Sequence, residues 1–373
     1  MDRIHTLGLV AMATCLCLVG CGPTRGASLS PDAQVIAYNN NDTVVIHSFV
    51  DRRADRRIHI REAEAPSYSP NGNWLVVPAE KKTFLLNRDG EQVGLLPKVS
   101  PPIAWNPDSS EFVGQRGSTA VVVHIRSRSV VRTYDLPIEP TSAVWMGPSR
   151  NMAFCSDDGL ATVVGGRAFH KKLRAANVSL GFDTQQGRLK WVETAALPSQ
   201  KNLLSKLKLP TVDPVTVNSC TPELTDVRVL RDSVGSEVIP NAKPNLAFVT
   251  VESVSPNGRY VALSLIFDES PHGILHRYRY LHLLQEDGVL VGHAQEQERI
   301  KREIKDLEMR LRFRIEFAVK DVDANSSPFK VIFDSKVEPA IILFKWPVLA
   351  WAQDSSCVAI VSATGETRQK VVL

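Results

Sequence analysis

The chain has 373 residues, 43% of them hydrophobic and 23% charged, enough apolar material for a sizeable core and incompatible with global disorder. Its formal net charge of +4 is too mild to argue for a nucleic-acid partner. Six cysteines are present, and three of them, Cys15, Cys17 and Cys21, fall at the extreme N-terminus. Cys155, Cys220 and Cys357 remain for the body, so no disulfide framework holds it together.

A short charged start, Asp2 and Arg3, precedes an apolar run from Leu7 to Leu18. Its length of about a dozen residues suits a signal-peptide core and falls short of the ~20 needed to span a bilayer. The run ends in Leu18, Val19, Gly20, Cys21. These four residues resemble the cleavage site of bacterial lipoproteins. The resemblance implies a signal peptide over residues 1–20, with Leu18, Val19 and Gly20 as the peptidase recognition residues and Cys21 carrying the lipid. It also implies a cell-envelope location, and Gly22 after the cysteine, in place of Asp, favours the outer membrane where the cell has one. Cleavage removes Asp2 and Arg3 together, so the mature charge stays at +4. Residues 21–28 are then a short tether and 29–373 the folded body.

The body is organised by an internal repeat. Ser30-Pro31-Asp32-Ala33 precedes the apolar Val35, Ile36 and Ala37, and Ser69-Pro70-Asn71-Gly72 precedes Leu75, Val76 and Val77. Asn106-Pro107-Asp108-Ser109 and Ser255-Pro256-Asn257-Gly258 stand in the same relation to Phe112-Val113 and Val261-Ala262-Leu263. Proline fixes φ, the following Asp, Asn or Gly closes a turn, and the β-branched run beyond it is a strand. Leu85 to Gly94 reappears as Leu283 to Gly292, with an Asp-Gly hairpin signal in register, and Ala104 to Ser110 reappears as Ala350 to Ser356. The markers Pro31, Pro70, Pro107, Pro148, Asp183, Pro256 and Asp354, with a doubtful one at Pro222, are spaced by about 40 residues until the last interval. An all-β β-propeller of four-stranded blades follows, with seven blades favoured and six or eight also open. The Ser-Pro-Asp/Asn-Gly turns resemble the WD40-like repeats of the TolB-type propellers, although the Trp-Asp dipeptide of true WD40 repeats is missing and residues 175–245 keep little of the motif.

The long last interval contains an insertion at about 293–311, dense in Glu, Gln, Lys and Arg. Ile300, Ile304, Leu307 and Leu311 are spaced by four, three and four, which makes one apolar stripe on a helix. That stripe either packs on the propeller body or docks a partner. Beyond it Phe313, Ile315, Phe317 and Val319 alternate as in a strand.

In an antiparallel four-stranded blade the first and third turns share one edge. The third turns of the first four blades carry Arg52, Arg53, Arg56, Arg57, Arg88, Arg126, Arg128 and Arg167. They define a candidate basic face for an anionic partner, an acidic protein or an envelope polymer. The long loop from Phe267 to Gly273 and the inserted helix belong to the opposite edge.

Catalytic signatures are missing: there is no Gly-x-Ser-x-Gly, no His-Glu-x-x-His and no phosphate loop. No catalytic residue, metal ligand or cofactor is therefore assigned. His272, His276, His282 and His293 fall close together without a geometry that fixes a metal site. Trp105, Trp145, Trp191 and Trp351 sit beside the turns, where packing between blades is the default. Two functional classes fit: a membrane-anchored, non-enzymatic propeller that serves as a protein or cell-envelope interaction scaffold, and a propeller enzyme of lactonase or lyase type.

Overall fold

A computed structural model describes residues 26–40, 42–51, 54–173, 175–195, 215–222, 227–230, 246–275, 277–278, 280–281, 294–322, 330–334, 338–339, 347–362 and 368–373. Its strands form seven antiparallel sheets arranged as the blades of a propeller. Blade one is β1 (Ala27–Leu29), β2 (Val35–Asn40), β3 (Thr43–Ser48) and β4 (Arg56–His59); blade two is β5 (Ser67–Tyr68), β6 (Trp74–Pro78), β7 (Thr83–Asn87) and β8 (Gln92–Leu96). Blade three is β9 (Ser100–Trp105), β10 (Glu111–Arg116), β11 (Thr119–His124) and β12 (Ser129–Asp135); blade four is β13 (Ser142–Trp145), β14 (Met152–Ser156), β15 (Gly159–Val164) and β16 (Arg167–Lys172). Blade five is β17 (Ala175–Asp183), β18 (Arg188–Ala195), β19 (Val215–Cys220) and β20 (Val227–Leu230). Blade six is β21 (Leu246–Val254), β22 (Tyr260–Asp268), β23 (Arg312–Asp321) and β24 (Lys330–Asp334), with β25 (Glu338–Pro339) added on β23. Blade seven has three described strands, β26 (Val348–Trp351), β27 (Cys357–Val361) and β28 (Arg368–Val372). The helix α1 (Ala294–Arg310) is inserted between β22 and β23.

Apolar clusters lie between blades rather than inside one. Ile36 and Tyr38 pack toward Ala350, Ala359 and Val361 of blade seven, while the intervening Ala37 packs toward Leu75 and Val77 of blade two. Alternate residues of one strand thus serve two different interfaces. This is why Leu75, Val76 and Val77 are all fully buried and why the sequence after each turn is continuously apolar instead of alternating with polar residues.

The Ser-Pro turns are built by their own side chains. Ser69 Oγ donates to Asn71 Oδ1 at 2.8 Å and accepts the N–H of Trp74 at 3.0 Å; Ser255 repeats this with Asn257 (2.8 Å) and Tyr260 (2.9 Å). The fourth turn position has positive φ, which Gly72 (72°) and Gly258 (70°) adopt without strain. A second serine two residues upstream links blades. Ser28 Oγ accepts the N–H of Tyr68 at 2.9 Å, and Ser67 and Ser253 accept the indole N–H of Trp105 (3.0 Å) and Trp351 (2.7 Å) from the following blade. The repeat signature is therefore Ser-x-Ser-Pro, one serine for the turn and one for the neighbour.

Blade five lacks the proline, and Asp183 replaces it by accepting the N–H groups of Gln185 (3.0 Å) and Gln186 (2.9 Å). The doubtful marker Pro222 begins no blade. It follows β19, in the third turn of blade five. Leu283 to Gly292, the echo of the blade-two hairpin, lies outside the described residues, and the third strand of blade six comes instead from Arg312–Asp321.

Candidate functional site

The edge formed by first and third turns is real: Arg88, in the third turn of blade two, forms an ion pair with Asp32, in the first turn of blade one. Burial alone would raise the Asp32 pKa, but hydrogen bonds from Ser30 and Arg88 outweigh it and hold the carboxyl below its ordinary value. Asp108, on the same edge, is lowered by hydrogen bonds from Ser110.

The eight basic residues expected there fall into three groups. Arg52 and Arg53 lie outside the described residues. Arg88 and Arg128 are spent on the fold: Arg88 bridges blades one and two, and Arg128 donates to the Val93 carbonyl at 3.1 Å with its guanidinium stacked where a side chain on Gly94 would sit. Arg56 also lies near Gly90 of blade two, beside the closer Ile46 and Ile58. Arg57, Arg126 and Arg167 are exposed and make no ion pair among the described residues. Arg57 and Arg167 lie on the outermost strands β4 and β16, Arg126 in the turn before β12, so these cations sit toward the perimeter of the ring. His170 and Lys172 are also exposed on β16, but that strand runs away from the third turn and Lys172, opposite Gly159, ends at the other edge.

A second polar pair stands on this edge. Arg150, in the first turn of blade four, donates to Glu111 Oε1 at 3.1 Å, and the Glu111 side chain is only 5% exposed. An Arg-Glu pair 39 residues apart carries no local signal; only the juxtaposition of adjacent blades creates it.

The apolar stripe of the inserted helix is not a free docking surface. Ile300, Ile304, Leu307 and Leu311 are all buried in a cluster with Ile266, Tyr278, Phe313 and Ile315 of the same chain. Of the two readings of the stripe, these contacts are those of packing on the propeller body, because the extended β22–β23 pair offers the helix a complementary apolar face. The outer face of α1 carries its own ion pairs, Arg299–Glu296 and Lys301–Glu298, and Arg277 reaches Glu303 at 2.8 Å.

His276, His282 and His293 lie outside the described residues, as do Leu18, Val19, Gly20 and Cys21. Among the described residues no group of three or more His, Cys, Asp or Glu side chains is arranged to hold a metal, and no helix is long and apolar enough to cross a membrane. Trp105 and Trp351 hold neighbouring blades together, Trp145 donates to the Ser149 carbonyl of its own turn at 2.8 Å, and Trp191 is buried beneath Lys171, whose ammonium stands 4.9 Å from the ring centroid. All four tryptophans act within or between blades.

These features define a seven-bladed, WD40-like β-propeller with exposed cations at its first-turn and third-turn edge. No protein-family model matches the chain, and no curated protein matches it. Solved structures do share the fold. Hydrazine synthase of Kuenenia stuttgartiensis superposes with a TM-score of 0.57 at 11% identity, covering 95% of this chain and 97% of that one. The β-propeller domain of Cps50 (Swd1) from Myceliophteria thermophila gives 0.55 at 11% identity, over 95% and 98%. At such identity the likeness is one of fold alone.

Proposed function

We propose that the protein is a lipid-anchored, non-enzymatic scaffold of the bacterial cell envelope that presents its turn-bearing edge to an anionic partner, an acidic protein or an envelope polymer. The observation that carries this is the set of exposed cations on that edge, Arg57, Arg126 and Arg167, that the fold itself does not consume. Unpaired perimeter charge steers association and contributes little to stability.

Chain direction supports the orientation. β1 runs toward the Ser-Pro turn of blade one, so the N-terminal segment joins the propeller at the opposite edge. Ala27 lies six residue steps beyond Cys21, a reach of at most about 20 Å at ~3.5 Å per extended residue. An anchor at Cys21 would then hold that opposite edge to the membrane and leave the basic edge facing away from the leaflet that anchors it.

Two measurements test this. Cys21→Ser should move the protein from the membrane fraction to the soluble fraction and abolish the lipidated N-terminal peptide in mass spectrometry. Arg57→Glu/Arg126→Glu/Arg167→Glu should lose salt-sensitive retention on beads coated with polyglutamate or teichoic acid. Unchanged retention of the triple variant removes the basic edge as the binding surface.

A further inference from the structure

The inserted helix α1 stands on the edge where the N-terminal segment joins the propeller. β22 leaves the Ser-Pro turn of blade six and ends at Asp268, paired with Phe313 near the start of β23, and α1 lies between the two strands. Round the ring, blade six packs on blade seven and blade seven on blade one. The helix is therefore two blades from the chain entry at Ala27, on the same edge. Its inner face is filled by the propeller, which leaves the outer face to meet anything else.

On that outer face the cations are in excess. The helix carries five carboxylates, and each has a partner within the chain: besides the three ion pairs already described, Asp306 takes Arg310 at 3.4 Å and Glu308 accepts from the Tyr278 hydroxyl at 3.3 Å. Arg302 and Lys305 are exposed and make no ion pair among the described residues; Arg302 donates only to the Glu298 carbonyl, at 3.3 Å. Steps of three and four lead from Arg302 through Lys305 to Met309, which keeps these side chains on one stripe, opposite buried Ile300, Ile304 and Leu307. Met309 is a large apolar side chain that the fold leaves more than half exposed. Two uncompensated cations beside one flexible apolar side chain match the headgroup layer of an anionic bilayer, where the charges take phosphates and the thioether enters the acyl boundary. Exposed Asp135, Glu139, Asp157 and Asp158 stand on the same edge at blades three and four, two to three blades from α1, and an anionic surface repels them.

We propose that Arg302, Lys305 and Met309 form a second membrane contact, seating the outer face of α1 in the headgroup layer of an anionic bilayer. The contact rests on the anchor proposed at Cys21, which brings this edge to the leaflet. One tether leaves the ring free to swivel, whereas a second point of contact tilts blade six toward the bilayer and the acidic side of the ring away from it.

The test is methionine-methyl NMR of the protein as purified from membranes, placed on nanodiscs that contain phosphatidylglycerol and a lipid with a headgroup nitroxide. The Met309 methyl signal, assigned by its loss in Met309→Leu, should broaden, while those of buried Met146 and Met152 stay sharp. Arg302→Glu/Lys305→Glu, two changes at exposed positions, should cut the broadening by about half or more, and raised salt should do the same. Mass spectrometry of the N-terminal peptide reports the anchor separately. A lipidated Cys21 with a sharp Met309 signal overturns the contact and leaves the anchor standing; broadening without lipid on Cys21 supports the contact and removes the anchor. Equal broadening in the double variant or on phosphatidylcholine alone also overturns the proposal. So does a Met309 signal that follows protein concentration in the absence of nanodiscs, which would assign the stripe to a second copy of the chain.

Discussion

Arg368, the first residue of the last strand, grips Asp55 of blade one with two bonds, Nη1 to Oδ1 at 3.2 Å and Nη2 to Oδ2 at 2.6 Å. The same guanidinium donates through Nε to the Tyr38 hydroxyl at 3.1 Å, and His47 Nδ1 approaches Asp55 Oδ1 to 2.9 Å. With Lys370 donating to the Ala33 carbonyl at 2.9 Å, β28 closes the ring by side-chain contacts to blade one. Beneath this polar clasp lies the apolar interface of Leu29, Ile36 and Tyr38 with Ala350, Ala359 and Val361.

Because Arg368 and Asp55 are 18% and 15% exposed, the pair is sheltered enough to matter. Arg368→Ala and Asp55→Asn should each destabilise the protein by about 2 kcal/mol, with a favourable coupling energy in the double-mutant cycle. Urea unfolding at low and high salt measures both. A coupling near zero would make closure purely apolar.

The serine links predict a specific asymmetry. Ser67→Ala leaves the Trp105 indole N–H without its acceptor and should cost about 1–3 kcal/mol. Adding Trp105→Phe removes the orphan donor and should recover part of the hydrogen-bond loss relative to Trp105→Phe alone. Thermal unfolding of the four proteins in the cycle reads the difference.

Truncating the helix stripe should act on stability and leave partner binding intact. Leu307→Ala is expected to cost about 2–4 kcal/mol, since Leu307 is buried with Ile300, Ile304 and Phe313. Met309→Glu, at a residue 56% exposed, should change stability by less than about 0.5 kcal/mol. Equal effects of the two would contradict packing in cis.

Cys155, Cys220 and Cys357 are buried in the body and form no disulfide with one another. Burial pushes the thiols of Cys155 and Cys357 up, away from the reactive thiolate. Iodoacetamide at neutral pH should leave all three unmodified in peptide maps of the native protein and label them fully in denaturant.

Acid should loosen the turn-bearing edge. Asp32 and Asp108 have lowered pKa values in the folded state, so the stability they contribute is present above the ordinary carboxylate range and is lost as pH falls through their folded values. The urea midpoint should begin to fall below about pH 4, and Asp32→Asn should make that fall shallower. An identical acid slope in the variant would assign the effect to other carboxylates.

By itself the sequence determined the repeating unit. Proline followed by Asp or Asn, closed by a residue able to take positive φ, is a local device, and Ser69, Pro70, Asn71 and Gly72 encode it within four positions. The period of those turns favoured seven blades and left six or eight open until the seven sheets settled it, while the spacing of Ile300, Ile304, Leu307 and Leu311 determined a helix with one apolar face. Antiparallel order within a blade was sufficient to place Arg88 and Asp32 on one edge. Only tertiary structure decided what those residues meet. Arg88 and Arg128 were legible as basic turn residues, yet adjacent blades turn them into ties, while Arg57, Arg126 and Arg167 stay exposed. Likewise Arg368 and Asp55, 313 positions apart, and Arg150 with Glu111 carry no signal at any local spacing. The physical reason is that turns and periodicity arise from short-range sterics and hydrogen bonds along the chain, whereas charge pairing and ligand chemistry arise where separate blades come together.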